Sequence, residues 1–256
     1  MKKSIVSYNV NGIRSAKRKG LLDWMKTIDP DCMCFQELKA RPEDLDNDLL
    51  EVPGYNAYWH SAEKKGYSGV AIWSKEVPEH VEIGCGIERY DREGRIIRLD
   101  FKEYSLMNIY LPSGNSGDER QSFKDDFLDD FFEYVQKIKE KHPKLVICGD
   151  YNIAHTEIDI HNPVANKKSS GFLPHERAWV TKFLESGFVD SFRKFHPEPD
   201  IYSWWSFRAA SRARNKGWRI DYHMVTDALV ENCRDQIIHK EAVHSDHAPL
   251  ELILEF

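Results

Sequence analysis

Short apolar runs alternate along the chain with segments in which apolar residues recur every three or four positions. The apolar runs predict strands near 4–10, 31–36, 55–60, 69–74, 96–101, 105–111, 145–149, 219–226 and 248–255. The recurring pattern predicts helices near 18–28, 42–50, 119–141 and 175–186. The close spacing of the runs between residues 55 and 111 predicts antiparallel pairs, and the helices predict crossover connections. We therefore expect one α/β domain over residues 1–256.

Three stretches, 112–118, 153–174 and 196–217, are longer than ordinary connections and follow neither pattern. They contain tryptophan, phenylalanine, proline and asparagine, which is not a composition typical of disordered segments. Long ordered loops usually carry function. We therefore expect these loops to lie on one rim of the domain.

The helix predicted near 119–141 is amphipathic. Phe123, Phe127 and Phe131 recur every four residues, while acidic residues crowd the segment from Asp118 to Glu133. An apolar stripe with charges opposite it is typical of a helix packed on one side of a domain. We predict a solvated acidic face here and give it no functional role.

The composition is that of a globular protein in a reducing compartment. Of 256 residues, 41% are hydrophobic and 12% aromatic, which suffices for a packed core. The five cysteines are odd in number, form no C-x-x-C pair and several lie within apolar runs, so we expect reduced core thiols and no zinc site. The chain shows no signal-peptide pattern and no membrane-spanning stretch. We expect a soluble, cytoplasmic, monomeric protein that does not act at a membrane.

The net charge of −6 by itself argues against a general nucleic-acid binder, but the basic residues are clustered. From Trp204 to Arg219 the chain has five basic residues, three tryptophans and no acidic residue. Smaller basic groups run from Arg14 to Lys19 and occur at Lys167 and Lys168. One such run alone would be a solvated surface. Together they suit a ligand with a phosphate backbone that is gripped on one face.

Polar side chains of the kinds used in catalysis stand at the ends of many apolar runs. A single asparagine or carboxylate at a strand end is usually a turn former, a helix cap or part of a core ion pair. Their recurrence favours a functional site, because open α/β sheets place their chemistry at strand ends. The residues concerned are Asn9, Asn11, Glu37, Tyr110, Asp150, Asn152, Asp221, Asp246 and His247.

The residue types restrict the chemistry, because the sequence has no G-x-S-x-G elbow, Walker loop, H-E-x-x-H motif or closed Cys/His cluster. Hard oxygen ligands with few carboxylates suit a partly hydrated Mg²⁺, or Mn²⁺ as the alternative, that also binds a substrate phosphate. Asp221 and His247 offer a carboxylate–imidazole pair that would hold a protonated histidine against an anionic phosphate. These groups together predict phosphodiester hydrolysis. The candidate oxygen ligands are Glu37, Asp150, Asp246, Asn9, Asn11 and Asn152.

Several segments spread over the chain form specific motifs. They are Ser7-Tyr8-Asn9-Val10-Asn11-Gly12-Ile13-Arg14, Gln36-Glu37-Leu38-Lys39, Gly66-Tyr67-Ser68-Gly69-Val70, the stretch from Gly149 to Glu176, Gly217-Trp218-Arg219-Ile220-Asp221-Tyr222 and Ser245-Asp246-His247. With these motifs in this order, the chain resembles exonuclease III and the related apurinic/apyrimidinic endonucleases of base-excision repair. The resemblance implies a four-layer α/β sandwich, in which two mixed, mainly antiparallel β-sheets pack face to face and are flanked by helices.

The resemblance also implies a metal site. Glu37 would be the principal ligand, with Asn9 and Asp246 nearby. Asn11 stands where some relatives have aspartate, so the number of metal ions stays open.

The same resemblance implies catalytic roles for five residues. Asp150 would activate the attacking water or protonate the leaving group, and Asn152 would orient that water and stabilise the developing charge. Tyr110 would sit against the scissile phosphate or the leaving oxygen. His247, oriented by Asp221, would contact a non-bridging phosphate oxygen.

For DNA binding, Trp204 and Trp218 resemble the walls of a pocket for a flipped-out abasic sugar. Contacts to the DNA backbone would supply affinity without reading sequence. The residues that resemble such contacts are Arg14, Lys39, Tyr67 and Asn166, to which the basic clusters add Lys167 and Arg214.

The implied activity is incision of double-stranded DNA 5′ to an abasic site, leaving a 3′-hydroxyl. Trp204 stands where weakly exonucleolytic relatives often have phenylalanine, so trimming of 3′ ends, including blocked ones, is also expected. Two alternatives stay open: a phosphatase of the same fold acting on an inositol lipid or small phosphoester, and a catalytically silent DNA-damage binding module. The loop from Ile153 to Phe172 favours the nuclease, since related phosphatases and sphingomyelinases lack its Asn166-Lys167-Lys168 motif.

Overall fold

The computed structural model describes residues 1–256. The strands are β1 (Lys2–Asn9), β2 (Cys32–Gln36), β3 (Asn56–His60), β4 (Val70–Ser74), β5 (His80–Ile83), β6 (Ile96–Asp100), β7 (Ser105–Tyr110), β8 (Leu145–Asp150), β9 (Phe188–Asp190), β10 (Asp221–Thr226), β11 (Cys233–Ile238) and β12 (Leu250–Glu255). The helices are α1 (Ile13–Arg18), α2 (Leu21–Ile28), α3 (Asn47–Leu50), α4 (Glu88–Asp91), α5 (Asp118–Lys141), α6 (Pro163–Asn166), α7 (Pro174–Glu185) and α8 (Ser191–Phe195). Short 3₁₀ segments lie at Pro42–Asp44, Glu157–Asp159, Arg208–Ala210 and Asp227–Asn232.

The strands form two six-stranded sheets with the same pattern of directions. One sheet has the order β11-β12-β1-β2-β4-β3, and the other has the order β5-β6-β7-β8-β10-β9. The two central strands of each sheet, β1 with β2 and β7 with β8, run parallel, and every other pair is antiparallel. Parallel neighbours end at the same edge of a sheet. Each sheet therefore delivers two adjacent strand ends to one rim.

Buried side chains divide the molecule into four layers. A cluster of 17 buried residues drawn from both sheets, including Ile72 and Val146, fills the space between them. A second cluster of 19 joins the outer face of one sheet to α5 and α7, and a third of 14 joins the other sheet to α1 and α2. The order is helix, sheet, sheet, helix, so the predicted four-layer sandwich is confirmed.

Some elements differ from the predicted ones. The apolar pattern does not predict β5, β9 and β11, which lie at sheet edges; β9 has only three residues, and β5 and β11 alternate irregularly between exposed and buried positions. The helix predicted over 18–28 begins later, as α2 at Leu21, because Gly20, whose φ of +93° glycine adopts without strain, separates it from α1, a helix that the pattern does not predict. The helix predicted over 42–50 is wrong in extent, because the extended backbone of Leu45 and Asp46 leaves only two short turns.

The cysteine positions agree with the expectation of reduced core thiols. None of the helices is both long and apolar enough to cross a membrane. All five cysteines are unpaired and four of them are buried, as predicted. Burial raises the pKa of the Cys32 thiol to about 11, so that this group stays protonated and unreactive at neutral pH.

Candidate active site

The two pairs of parallel central strands, β1 with β2 and β7 with β8, end at the same rim of the sandwich. Asn9 ends β1 and donates a hydrogen bond across the inter-sheet space to Asp150, which ends β8. Because β10 runs antiparallel to β8, it begins where β8 ends, and Asp221 pairs with Asp150. The chain then turns sharply: Glu37 and Asn152, which follow β2 and β8, have φ values of +57° and +52°. This left-handed backbone is unusual for glutamate and often marks a functional position.

The rim contains a cavity of about 480 Å³, and each of the three long loops contributes to its lining. The prediction that these loops share one rim is confirmed. The lining residues are Asn11, Glu37, Lys39, Tyr110, Ser113, Asn115, Asp150, Asn152, Ser169, Ser170, Gly171, Trp204, Trp218, Ile220, Asp246 and His247.

Asp150 lies at the base of the cavity and is 2% exposed. Its Oδ2 accepts a hydrogen bond of 2.8 Å from Asn9 Nδ2, and its Oδ1 accepts one of 2.8 Å from the Asn152 backbone N–H. Burial, together with the neighbouring Asp221 carboxylate, raises the pKa of Asp150 to about 7. A carboxyl group with such a pKa can take up or release a proton at neutral pH.

His247 is held by Asp221 across the floor of the cavity. Its Nδ1 lies 2.9 Å from Asp221 Oδ2, which also accepts a hydrogen bond of 2.6 Å from Ser203 Oγ. Burial lowers the pKa of His247, but the charge and hydrogen bond of Asp221 outweigh burial and raise it to about 10. The imidazole is therefore charged at neutral pH. Its Nε2, 3.9 Å from Asp150 Oδ2, is the ring nitrogen left for an anionic ligand.

In a second part of the cavity, side-chain oxygen atoms surround the ammonium group of Lys39. Lys39 Nζ lies 2.9 Å from Glu37 Oε1 and 2.5 Å from Asn11 Oδ1. Asn11 Nδ2 in turn donates a hydrogen bond of 2.9 Å to Asp246 Oδ1. The ammonium group shows that this oxygen-rich position accommodates positive charge, and carboxylate and amide oxygens are the ligands that Mg²⁺ and Mn²⁺ prefer. The residues present therefore fit a divalent metal ion.

A further group of possible metal ligands comprises Asp150, Asp221 and His247, whose ligand atoms lie within 4.8 Å of one another. Metal ligation requires a neutral imidazole. The raised pKa of His247 and its bond to Asp221 make these three residues a poorer metal site than Glu37, Asn11 and Asp246.

Tyr110 stands between the two parts of the cavity. The Arg95 guanidinium lies 4.8 Å from the centre of its ring, and Arg95 Nη1 donates a hydrogen bond of 2.7 Å to its carbonyl oxygen. Burial and then the charges of Glu37 and Asp150 raise the pKa of Tyr110 well above its ordinary value. The phenol therefore stays protonated and can donate a hydrogen bond.

Trp204 and Trp218 form one wall of the cavity. Their rings meet edge to face with centroids 6.0 Å apart, and they pack on a small apolar cluster that includes Phe172 and Ile220. Trp204 Nε1 also donates a hydrogen bond of 3.0 Å to Asp246 Oδ2. The wall thus presents aromatic surface directly beside the oxygen-rich position.

Comparison with known proteins assigns this fold and site to a family. The model of the endonuclease/exonuclease/phosphatase family matches residues 6–247. The chain belongs to this family. It is 43% identical to an exodeoxyribonuclease of Bacillus subtilis over 98% of both chains, and 40% identical to the DNA repair nuclease APEX1 of Danio rerio over 98% of this chain and 81% of that one. An AP endonuclease from Archaeoglobus fulgidus superposes with a TM-score of 0.90 at 33% identity, covering 99% of this chain and 100% of that one. The resemblance seen in the sequence is confirmed.

Not every residue predicted for the site lines the cavity of this endonuclease/exonuclease/phosphatase family member. Asn9 and Asp221 lie behind it, where they hold Asp150 and His247. Tyr67 accepts hydrogen bonds from Arg95 and Arg120 next to the cavity. The remaining predicted DNA contacts stand outside the lining, and all but Asn166 are exposed: they are Arg14, Asn166, Lys167 and Arg214.

Two residues that support the cavity from behind were not predicted from the sequence. Ser203 holds Asp221, and no local pattern marks it. Lys124 is different, because it shares a helical face with Phe127, Leu128 and Phe131, and a lysine on an apolar face is a readable signal. The prediction of no functional role concerned the acidic face of α5; on its other face, Lys124 is fully buried and donates a hydrogen bond to the Asn152 carbonyl oxygen.

Proposed function

We propose that this protein is a metal-dependent DNA repair nuclease that hydrolyses the phosphodiester bond 5′ to an abasic site and leaves a 3′-hydroxyl. The observation that carries the proposal is one cavity that joins a charged His247, a proton-accepting Asp150 and a cation position at Glu37. Mg²⁺ is the proposed cofactor, with Mn²⁺ as the alternative. We further propose that the chain works as a monomer, as one domain over residues 1–256, in the cytoplasm.

Each side chain has a chemical task in this proposal. The His247 imidazolium binds a non-bridging phosphate oxygen and stabilises the charge that develops on it. Asp150 accepts the proton of the attacking water or returns a proton to the leaving oxygen. Tyr110 donates a hydrogen bond to the scissile phosphate or to the leaving group. A divalent ion held by Glu37, Asn11 and Asp246 would supply further charge neutralisation at the phosphate.

The orientation of Asn152 supports a role in holding the water. Its Nδ2 donates a hydrogen bond of 2.9 Å to the Leu111 carbonyl oxygen, and a carbonyl can only accept. This contact directs Oδ1 away from Leu111 and leaves it without a donor from the protein. The free Oδ1 would accept a hydrogen bond from the attacking water, which suits the water-orienting role better than stabilisation of negative charge.

The aromatic wall and the loops support an abasic DNA substrate. Trp204 and Trp218 can pack against an extruded sugar that lacks a base, and 480 Å³ is a volume suited to a group of that size. The relatives named AP endonuclease and DNA repair nuclease favour the same substrate. The basic loops would bind the phosphate backbone, with affinity that falls as salt rises.

Incision of a defined abasic duplex tests the proposal. We expect strand cleavage with Mg²⁺, none with EDTA, and a 3′-hydroxyl 5′ to the lesion, resolved on a sequencing gel against end-group standards. A β-elimination product, or cleavage that survives EDTA, would contradict metal-assisted hydrolysis. Faster turnover of an inositol phosphate than of the abasic duplex would instead support the phosphatase alternative.

Trimming of 3′ ends is the second expected activity. The enzyme should shorten a recessed 3′ end. Trp204→Phe should reduce this trimming more than abasic incision, because the smaller phenylalanine ring covers less of the cavity wall and cannot donate the hydrogen bond to Asp246. Trp205→Phe is the matched control, since Trp205 is buried away from the cavity with its indole bonded to Asn215. An enzyme that incises abasic DNA but never shortens a recessed end would refute this part.

A further inference from the structure

A fully buried ion pair lies beneath the cavity and lines no part of it. Lys124 of α5 and Glu176 of α7 are both 0% exposed, and Lys124 Nζ lies 2.6 Å from Glu176 Oε1. Burial lowers the pKa of Lys124, opposed by the charge and hydrogen bond of Glu176. Burying two charges rarely stabilises a protein more than apolar side chains of the same size would. The pair therefore calls for an explanation other than stability.

Both partners hold backbone that lines the cavity. Lys124 Nζ donates a hydrogen bond of 2.9 Å to the carbonyl oxygen of Asn152. Glu176 Oε2 accepts hydrogen bonds of 2.6 Å and 3.0 Å from the backbone N–H groups of Gly171 and Leu173. The ion pair thus joins the segment that follows β8 to the loop that precedes α7.

The segment after β8 and the loop before α7 are in tight contact at Gly171. Ala154 N–H donates a hydrogen bond of 2.8 Å to the Gly171 carbonyl oxygen. A Cβ at Gly171 would approach the Asn152 carbonyl oxygen to 2.9 Å and the Trp218 ring to 3.1 Å. A shift of either segment would therefore move Asn152 or the aromatic wall.

Every polar group of Asn152 except its side-chain oxygen Oδ1 makes a hydrogen bond within the protein. Its N–H bonds Asp150, its Nδ2 bonds Leu111 and its carbonyl oxygen bonds Lys124. Its backbone is left-handed, with a φ of +52°, which asparagine tolerates but which needs support. Lys124 supplies the contact that fixes this peptide group from below.

We propose that Lys124 and Glu176 are positioning residues for the nuclease reaction, which hold Asn152 and Gly171 in register with the phosphate and the flipped sugar. This inference rests on the proposed function, since it assigns the pair to the same site. It gives the acidic helix α5 a part in catalysis through a single inward-facing side chain.

Lys124→Met tests the proposal, because methionine fills a similar space without donating to Asn152. We expect kcat for abasic incision to fall by about 10- to 100-fold with KM little changed, the loss that small misplacements of catalytic groups cause. Lys139→Met is the matched control: Lys139 also lies on α5 and donates to a backbone carbonyl, that of Ser186, at the opposite end of α7. It should leave kcat unchanged.

A double-mutant cycle separates positioning from a general structural effect. In an Asn152→Ala background, Lys124→Met should cost far less than in the wild type, because the group it positions is gone. Equal losses in both backgrounds would overturn the proposal, as would a wild-type kcat in Lys124→Met. If the wild-type enzyme itself fails to cut abasic DNA, the proposed function fails instead.

Folding is checked by thermal denaturation of each variant. Should Lys124→Met fail to fold because the charge of Glu176 is left uncompensated, Lys124→Met with Glu176→Gln removes both charges and keeps an acceptor for the Gly171 and Leu173 N–H groups. A folded double variant with the same loss of kcat supports positioning. A folded double variant with full kcat, or two variants that both fail to fold, makes the pair a stability element and overturns the proposal.

Discussion

Asp150→Asn is expected to leave a folded protein that binds abasic DNA but cleaves it roughly 10⁴-fold more slowly or not at all, at the upper end of what one general acid–base group contributes. Asparagine has nearly the same shape and can still accept the hydrogen bond from the Asn152 backbone N–H. What it loses is the proton that Asp150, with its pKa raised by burial to about 7, exchanges at neutral pH. Single-turnover incision and fluorescence anisotropy on the same duplex measure the two effects.

The control for Asp150→Asn is Asp126→Asn, which neutralises an exposed carboxylate on α5 that pairs only with Arg89. It should behave as the wild type in both measurements, since exposed ion pairs contribute little. Unchanged cleavage by Asp150→Asn would remove Asp150 from the mechanism. Loss of binding together with cleavage would make it a structural or metal-holding residue and not the proton carrier.

Asp221→Asn is expected to have the next largest effect, a loss of roughly 10²–10³-fold at about pH 8, similar to the removal of one strong electrostatic group from an active site. Asp221 is what keeps the pKa of buried His247 raised to about 10. The sign follows directly: a raised histidine pKa means that the imidazolium persists until the pH approaches that value, so His247 should not limit the activity of the wild type below about pH 10. Without Asp221, burial lowers the pKa of His247, and the phosphate loses its charged partner at a lower pH.

The pH profile of abasic incision measures this shift. The alkaline limb of Asp221→Asn should move to lower pH, so that the variant loses less activity at about pH 6 than at about pH 8. Ser203→Ala is the control, because it removes a hydrogen-bond donor from the Asp221 carboxylate but leaves its charge in place, and it should not move the limb to lower pH. An alkaline limb at the same pH in Asp221→Asn and the wild type would show that His247 does not act as the charged group.

The residue types of the site could be predicted because they interrupt apolar runs. Asp150 and Asn152 follow a run that is buried throughout, so polar atoms there had to emerge at the strand end. Glu37 follows β2 in the same way. The edge strand β11 could not be predicted, since half of its residues face solvent and its pattern is neither apolar nor cleanly alternating. Helix α5 was predicted with nearly correct bounds, but its buried Lys124 was not singled out.

The alternation of strands and helices, the candidate catalytic side chains and the family could all be read from the sequence, because apolar periodicity and local motifs are properties of neighbouring residues. The surroundings of those side chains depend on contacts between segments that are distant in the chain. Asp221 stands beside Asp150 because β10 pairs with β8, and Lys124 meets Glu176 across 52 residues because α5 and α7 cover the same sheet. The pKa values of Asp150 and His247 arise from burial and from such long-range neighbours, and neither is written in local sequence.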